Sequence, residues 1–306
     1  MNRIVKALGV IGLLILGFCY SCSPKMGVAD YPEESPPSRV FEKKPDVALV
    51  LGGGAFHGIA HVGVLKVLEE AGIPIDLIVG TSSGSLVGVL YADKPYADSL
   101  LPLMESTSRK DLFDISIFRS KTGVVSGKRL QEFVVNNVGV SQIEQTRIPF
   151  IAVATDIDQG KTVAFSAGPI APAINASCAI PGFFDPVVMY GTTYIDGGIL
   201  NNIPVNFAKE LGAKYIIAVD IMPLKDSAQY HNYKDVLLRA LMVSIRKHGE
   251  DNLALADMVI SPNLKGIPYM STKDNHKTYE MGVEAAEASL DQIKKDLNLR
   301  GIPYKH

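Results

Sequence analysis

Gly80-Thr-Ser82-Ser-Gly84 is a G-x-S-x-G motif between an apolar run and a stretch of small residues. A sharp strand-to-helix turn there lifts a serine hydroxyl off the backbone onto an exposed turn, and the flanking glycines avoid the clash such a turn causes. The N-terminus of the next helix favours negative charge developing beside it. The chemistry would be nucleophilic attack on an acyl carbon. Outside that context the same five residues make a plain connecting turn. A second loop, Gly52-Gly-Gly54-Ala-Phe-His57-Gly58, is also glycine-rich, so several backbone N–H groups can converge on one anion. A P-loop is excluded because no Gly-Lys-Ser/Thr follows. A dinucleotide site needs an acid near the end of the next strand, and Asp76 lies at its start. An oxyanion hole serving Ser82 is the third use. Tyr194-Ile-Asp196-Gly197-Gly198, followed by Asn201-Asn202-Ile-Pro204, taken alone reads as a structural Asp-Gly turn.

The elements that must position these residues follow from hydrophobic period. Val47–Leu51 is a continuous apolar run ending in glycines, as in a buried parallel strand. Ile59, Val62, Leu65 and Leu68 recur at helical spacing, and Gly72 and Pro74 stop that helix. A strand is expected at 75–79 and a small-residue helix at 85–92. Further strands are expected at 148–154, 162–165, 215–219 and 257–260. Helices are expected near 96–108, 126–137, 203–211, 233–249 and 276–296, the last with a solvated face. Asp158-Gln-Gly160 marks a hairpin turn. Strands alternating with helices make a mostly parallel sheet covered on both faces. Adjacent parallel strands put both glycine turns at one sheet edge.

Four blocks in this order resemble the patatin-like phospholipase family, from about residue 46 to about 262. They are the glycine loop, Gly80–Gly84, Ala176-Ser-Cys-Ala-Ile-Pro181 with Phe184-Asp-Pro-Val187, and Asp196-Gly-Gly198. The resemblance implies a patatin-type three-layer α/β/α sandwich and a serine acyl hydrolase without a catalytic histidine or a cofactor. Its substrates would be phospholipids or lysophospholipids. It maps the nucleophile to Ser82, the base to Asp196, and the oxyanion donors to Gly52, Gly53 and Gly54. Gly80, Gly84, Gly197 and Gly198 support these turns. The family usually has Arg or Lys where this chain has His57. A cation there would order the loop or attract acidic head groups, and histidine does so only when protonated. Two other functions remain open. One is a Ser-His-Asp esterase using His231, His248 or His276; the other is a non-catalytic lipid-binding relative.

The chain has 306 residues, 47% apolar, with 30 basic against 32 acidic side chains. That balance, without a long basic run, argues against nucleic acid as a partner. Three cysteines make no disulfide framework. Arg3 and Lys6 precede the apolar stretch Ala7–Tyr20, which is short for a membrane span and suits a signal peptide over 1–21. Cys22 after Ser21 resembles a bacterial lipoprotein signal, although Cys19 stands where a leucine is usual. The expectation is an exported, membrane-anchored lipoprotein of a bacterial envelope. Residues 22–45 hold five prolines and read as an extended tether reaching up to roughly 70 Å. The hydrolase domain is then 46–306. Cys178, in an apolar block, reads as a small buried side chain. His57 and His61 stand at metal-binding spacing but lack a third ligand, so a structural or surface role is expected. Asp220 is expected to hydrogen-bond at a strand end. Leu112-Phe113 with Ile115-Ser-Ile-Phe118 reads as core, or else as a lipid-access lid.

Overall fold

The computed structural model describes residues 31–115, 122–222 and 233–305. Cys22, the 1–21 segment, His231 and residues 116–118 of the apolar patch lie outside them. Eight strands form one sheet: β1 Val47–Leu51, β2 Leu77–Thr81, β3 Phe150–Asp156, β4 Lys161–Phe165, β5 Val187–Met189, β6 Thr192–Asp196, β7 Tyr215–Val219 and β8 Met258–Ile260. Their order is β5-β6-β3-β2-β1-β7-β8, with β4 paired to β3 off this path. The five strands from β3 to β8 pair in parallel, while β4, β5 and β6 join through antiparallel pairs. The helices are α1 Ile59–Glu70, α2 Ser83–Asp93, α3 Leu100–Ser106, α4 Arg109–Leu112, α5 Lys128–Asn137, α6 Ile170–Ser177, α7 Gly198–Asn201, α8 Val205–Glu210, α9 Tyr233–Leu253 and α10 Asn275–Leu299.

Strand β1 shows why the central strands are apolar throughout. Val47, Leu49 and Leu51 enter one apolar cluster with residues of α1, α2, α5, α6 and α10. Ala48 and Val50 enter another, with Val205 and Ala208 of α8. Both faces of the strand are buried, so the period of two disappears from its sequence. The result is a three-layer α/β/α sandwich, as the resemblance implies. Helix α10 packs against α1 so closely that a Cβ at Gly282 would fall 2.1 Å from the Ala60 carbonyl oxygen. The chain reverses between β3 and β4 through residues 157–160, with Gly160 at φ 64°, as Asp158-Gln-Gly160 suggests.

Strand β3 spans Phe150–Asp156 where 148–154 is expected, and three other features differ from expectation. Strand β2 begins at Leu77 and runs through Gly80 to Thr81, two residues later than the apolar run implies. The cause is Asp76, whose carboxylate accepts the N–H groups of Asp46 and Val47 at 3.0 and 2.9 Å. That places Asp76 at the sheet edge opposite the glycine turns, which removes it as a ribose-binding acid. Strands β5 and β6 fall where no strand is expected. The proline-rich segment, finally, is not a free tether from Tyr31 onward. The Tyr31 hydroxyl accepts Gln131 Nε2 and Asn175 Nδ2 at 2.9 and 2.8 Å. Pro32 O accepts the Tyr190 N–H, Arg39 N–H donates to Ser166 Oγ, and Phe41 packs on the second cluster.

Candidate active site

Register brings the three motifs together. Leu51 of β1 is paired with Gly80 of β2, and Ala154 of β3 with Asp196 of β6. Because β1, β2 and β3 are neighbours, the glycine loop, the Ser82 turn and Asp196 emerge side by side at one edge. Ser82 sits between β2 and α2 at φ 53°, ψ −126°, a left-handed conformation that costs a non-glycine residue of order 1–3 kcal/mol. Its neighbours hold it there. Ser177 Oγ accepts the Ser82 N–H at 2.9 Å and donates to Val153 O at 2.6 Å. Ser85 Oγ donates to Ser82 O at 2.7 Å. The flanking glycines answer to close approaches: a Cβ at Gly80 would meet Gly84 O at 2.5 Å, and one at Gly84 would meet Leu51 O at 2.2 Å. Ser82 is only 6% exposed, so it is not on an open turn. Ile180 and, from α9, Met242 and Ile245 line the pocket in which it lies.

Asp196 is buried at the end of β6. Its Oδ1 accepts the Gly198 N–H at 2.7 Å, while Oδ2 is enclosed without a well-aligned partner. Burial pushes its carboxyl up to about 6, against smaller opposing hydrogen bonds from the Ser82 hydroxyl and the Gly198 N–H. Gly197 has to be glycine, because a Cβ would lie 2.3 Å from Val153 O. Gly198 follows with Asp196 Oδ1 at 3.0 Å from its Cβ position.

The glycine loop divides. Gly52 continues the β1–β7 pairing, its N–H bonded to Val219 O at 3.1 Å, so it does not meet the expectation of a donor facing Ser82. Gly53 N–H donates to Asn202 O at 3.3 Å and Gly54 N–H donates to Ser83 Oγ at 3.1 Å, contacts outside the strand pairing. Gly53 also lies against Ser82, whose Cβ is 3.0 Å from a Cβ built at Gly53. Gly53, Gly54, Ser82, Asp196, Asn202 and Met242 line one pocket. A second, apolar pocket also opens at Ser82 and is walled by Leu86, Leu112, Phe113, Leu130 and Phe184. Phe113 stands edge-on to Phe56, Phe183 and Phe184. Leu112 and Phe113 therefore form pocket wall, whereas Ile115 is 62% exposed.

The histidines take structural places. His57 is 1% exposed, with Nδ1 3.2 Å from Ile221 O and Nε2 2.9 Å from Ile267 O. Both partners are acceptors, so only the doubly protonated ring can donate to both. Closed from solvent, His57 ties the loop to its neighbours and lines neither pocket at Ser82. His61 is fully buried and donates through Nε2 to Gly52 O at 2.8 Å; burial pushes its pKa down to about 4, which keeps it neutral. His276 is exposed and paired with Glu105 and Glu280, away from both pockets at Ser82. The side chain of His248 lies outside the described set. Cys178 is buried with its thiol 4.0 Å from Ser85 Oγ, and burial, reinforced by the Asp196 charge, pushes its pKa up. Asp220 accepts the Met222 N–H at 3.0 Å and pairs with Arg246 at 3.2 Å, so it does bond at a strand end.

Two supporting residues escape the motif reading. Ser177 fixes the Ser82 N–H, yet in sequence it is one small residue in a run of them. Asn202 brackets Gly53, with its backbone O on the Gly53 N–H and its Nδ2 3.2 Å from Gly53 O. Its doublet with Asn201 draws notice without revealing that partner.

Known proteins are similar to this chain. The family model "Patatin-like phospholipase" matches residues 49–209. The chain is 31% identical over 229 residues to patatin-like phospholipase domain-containing protein 7 of Mus musculus, covering 65% of this chain and 16% of that protein. It is 35% identical over 189 residues to lysophospholipase nte1 of Aspergillus fumigatus, covering 59% and 12%. The chain thus spans about a sixth or less of the length of these relatives. Among solved structures, VipD from Legionella pneumophila superposes with a TM-score of 0.54 at 14% identity, over 90% of this chain and 73% of that one, a likeness of fold. Since the family model covers more than half of the 306 residues, with the serine turn and the buried aspartate both inside the matched span, the chain belongs to the patatin-like phospholipase family.

Proposed function

We propose that this chain is a serine acyl hydrolase that cleaves ester bonds of phospholipids or lysophospholipids through a Ser82–Asp196 dyad. The observation that carries the reading is the enclosed Asp196 carboxyl, raised to about 6, lining one pocket with a serine on a strained strand-to-helix turn. A carboxylate of ordinary pKa is a weak base, and burial moves this one towards the working range of a general base. Ser82 Oγ attacks the ester carbonyl carbon as Asp196 Oδ2 takes its proton. The oxyanion draws on Gly53 and Gly54 N–H groups, which exchange their contacts to Asn202 O and Ser83 Oγ for the stronger charged acceptor. The proton passes to the leaving alcohol, and water then hydrolyses the acyl-enzyme by the same route. The apolar pocket at Ser82 suits the acyl chain, and the names of the relatives support a phospholipid or lysophospholipid head group.

Of the three histidines of the triad reading, His276 is engaged on the surface by Glu105 and Glu280, while His231 and the side chain of His248 lie outside the described residues. His57, where the family usually has Arg or Lys, lines neither pocket at Ser82, so this departure does not favour the non-catalytic reading. The proposal includes export and lipidation at Cys22, which would hold the domain at an envelope membrane. The test is fatty-acid release from phosphatidylcholine and lysophosphatidylcholine by the full chain. Wild type should release it and Ser82→Ala should not; release by both would exclude Ser82 as nucleophile.

A further inference from the structure

Ser83 follows the nucleophile in the serine turn and is the first residue of α2. The mechanism above does not use its side chain, yet the glycine loop is folded around it. Its Oγ accepts the Gly54 N–H at 3.1 Å. At the far end of the loop a Cβ built at Gly58 would lie 2.8 Å from Ser83 Cβ and 3.2 Å from Ser83 Oγ, so the glycine there makes room for this side chain. Ser83 is half-buried and lines the apolar pocket beside Ser82 and Ala55. Its partner Gly54 lines the other pocket with Ser82 and Asp196, so the contact between Gly54 and Ser83 joins the two. A hydroxyl can donate one proton as well as accept. Accepting the Gly54 N–H leaves the Ser83 proton uncommitted, and no acceptor among the described residues is bonded to it.

We propose that Ser83 is a further catalytic residue, whose hydroxyl donates a hydrogen bond to the oxyanion formed when Ser82 attacks. The inference rests on the acyl hydrolase reading of the Ser82 site. As the ester carbonyl carbon becomes tetrahedral, its oxygen gains negative charge and draws the Gly54 N–H away from the neutral hydroxyl. Gly54 N and Ser83 Oγ are 3.1 Å apart. An oxygen about 2.7–3.1 Å from the amide nitrogen can therefore complete a compact triangle with the hydroxyl and accept from both. The Ser83 O–H bond stays intact throughout; the proton that moves is the one passing from Ser82 Oγ to Asp196 Oδ2. Because the new hydrogen bond strengthens as charge develops, it stabilises the transition state more than the bound ester. A serine that merely plugs the Gly54 N–H would act in the opposite sense, since removing it would free that donor for the oxyanion and raise turnover.

The test is Ser83→Ala in the full chain, assayed on water-soluble p-nitrophenyl butyrate so that kcat and KM separate. The value of kcat should fall by about a hundredfold, the scale for loss of one oxyanion donor, with KM unchanged. A trifluoromethyl ketone, whose adduct with Ser82 carries the same oxyanion, should bind the variant more weakly by the same factor. Circular dichroism and the thermal midpoint should stay at wild-type values, which separates a lost donor from a loosened loop. Turnover equal to or above wild type would overturn the proposal and leave Ser83 as a plug. A fall in kcat with a lower thermal midpoint, or with unchanged affinity for the ketone, would overturn it too. In each of these cases wild type still turns over and the hydrolase reading stands. A wild type inert towards the ester would instead sink both.

Discussion

Asp196→Asn should make the protein inactive and, at neutral pH, more stable. An enclosed carboxyl raised from 3.8 to about 6 costs the folded state about 3 kcal/mol once it is ionised. The sign follows from proton binding. Between pH 3.8 and 6 the folded state holds a proton that the unfolded chain has released, so rising pH removes stability across that window. Above about 6 the whole penalty is present; below 3.8 it is absent. Asparagine has nearly the same shape and no charge, and its amide oxygen can still accept the Gly198 N–H, so it removes the penalty and keeps the contact. The variant should therefore gain up to about 3 kcal/mol over wild type at pH 8, roughly 6 °C in Tm for a domain of this size, and nothing at pH 3.5. His61 works in the opposite direction, because its pKa is lowered to about 4: it contributes stability above 6.5 that is lost as pH falls towards 4. Its contribution is common to both proteins and cancels in the difference. Denaturant unfolding of both proteins at several pH values between 3.5 and 8 measures that difference. A variant less stable than wild type by the same amount at every pH would refute the reasoning, since it would mean that the carboxylate is not buried at a cost.

Turnover per encounter, kcat/KM, should rise with pH through a single ionisation near 6, because only the Asp196 carboxylate can accept the Ser82 proton; a flat profile from pH 5 to 8 would remove Asp196 as the base. Ser177→Ala strips the buried Ser82 N–H of its acceptor and should cost about 1–3 kcal/mol in unfolding experiments, with turnover falling together with it as the turn loosens; wild-type values for both would show that Ser177 does not hold the turn. Gly53→Ala puts a methyl 2.6 Å from Asn202 Oδ1 and 3.0 Å from Ser82 Cβ. It should abolish ester turnover while circular dichroism stays native, and full activity would exclude Gly53 from the oxyanion site.

What could be read from residues alone follows from which physical signal each element carries. Strands β1 and β7 appear as continuous apolar runs because helices cover both their faces, and β7 is found at the expected residues 215–219. Strand β2 is displaced by the polar anchor at Asp76, which hydropathy does not weigh. Strands β5 and β6 are short and partly exposed, with Val188 49% exposed and Thr192 and Thr193 half-buried, so they carry neither an apolar run nor a clean alternation. Docking of the 31–45 segment rests on one tyrosine hydroxyl, three backbone bonds and a phenylalanine, and none of these produces a period. In the site, the glycines around Ser82 were legible because only glycine tolerates the contacts at positions 80 and 84. The Gly52 N–H was not, because its partner Val219 is 167 residues away in the chain and is brought there only by the pairing of β1 with β7.

The central claim is that Ser82 and Asp196 act as a pair without a histidine. A fluorophosphonate probe tests it most directly, because it reacts with a serine that is already activated by a base and set beside an oxyanion site. Wild type should label, Ser82→Ala should not, and Asp196→Asn should label far more slowly. Alanine at His231, His248 or His276 should leave the labelling rate at the wild-type value. Slowing of a hundredfold or so by any one of these histidine changes, the scale expected for loss of a general base, would contradict the dyad and make the protein a triad hydrolase.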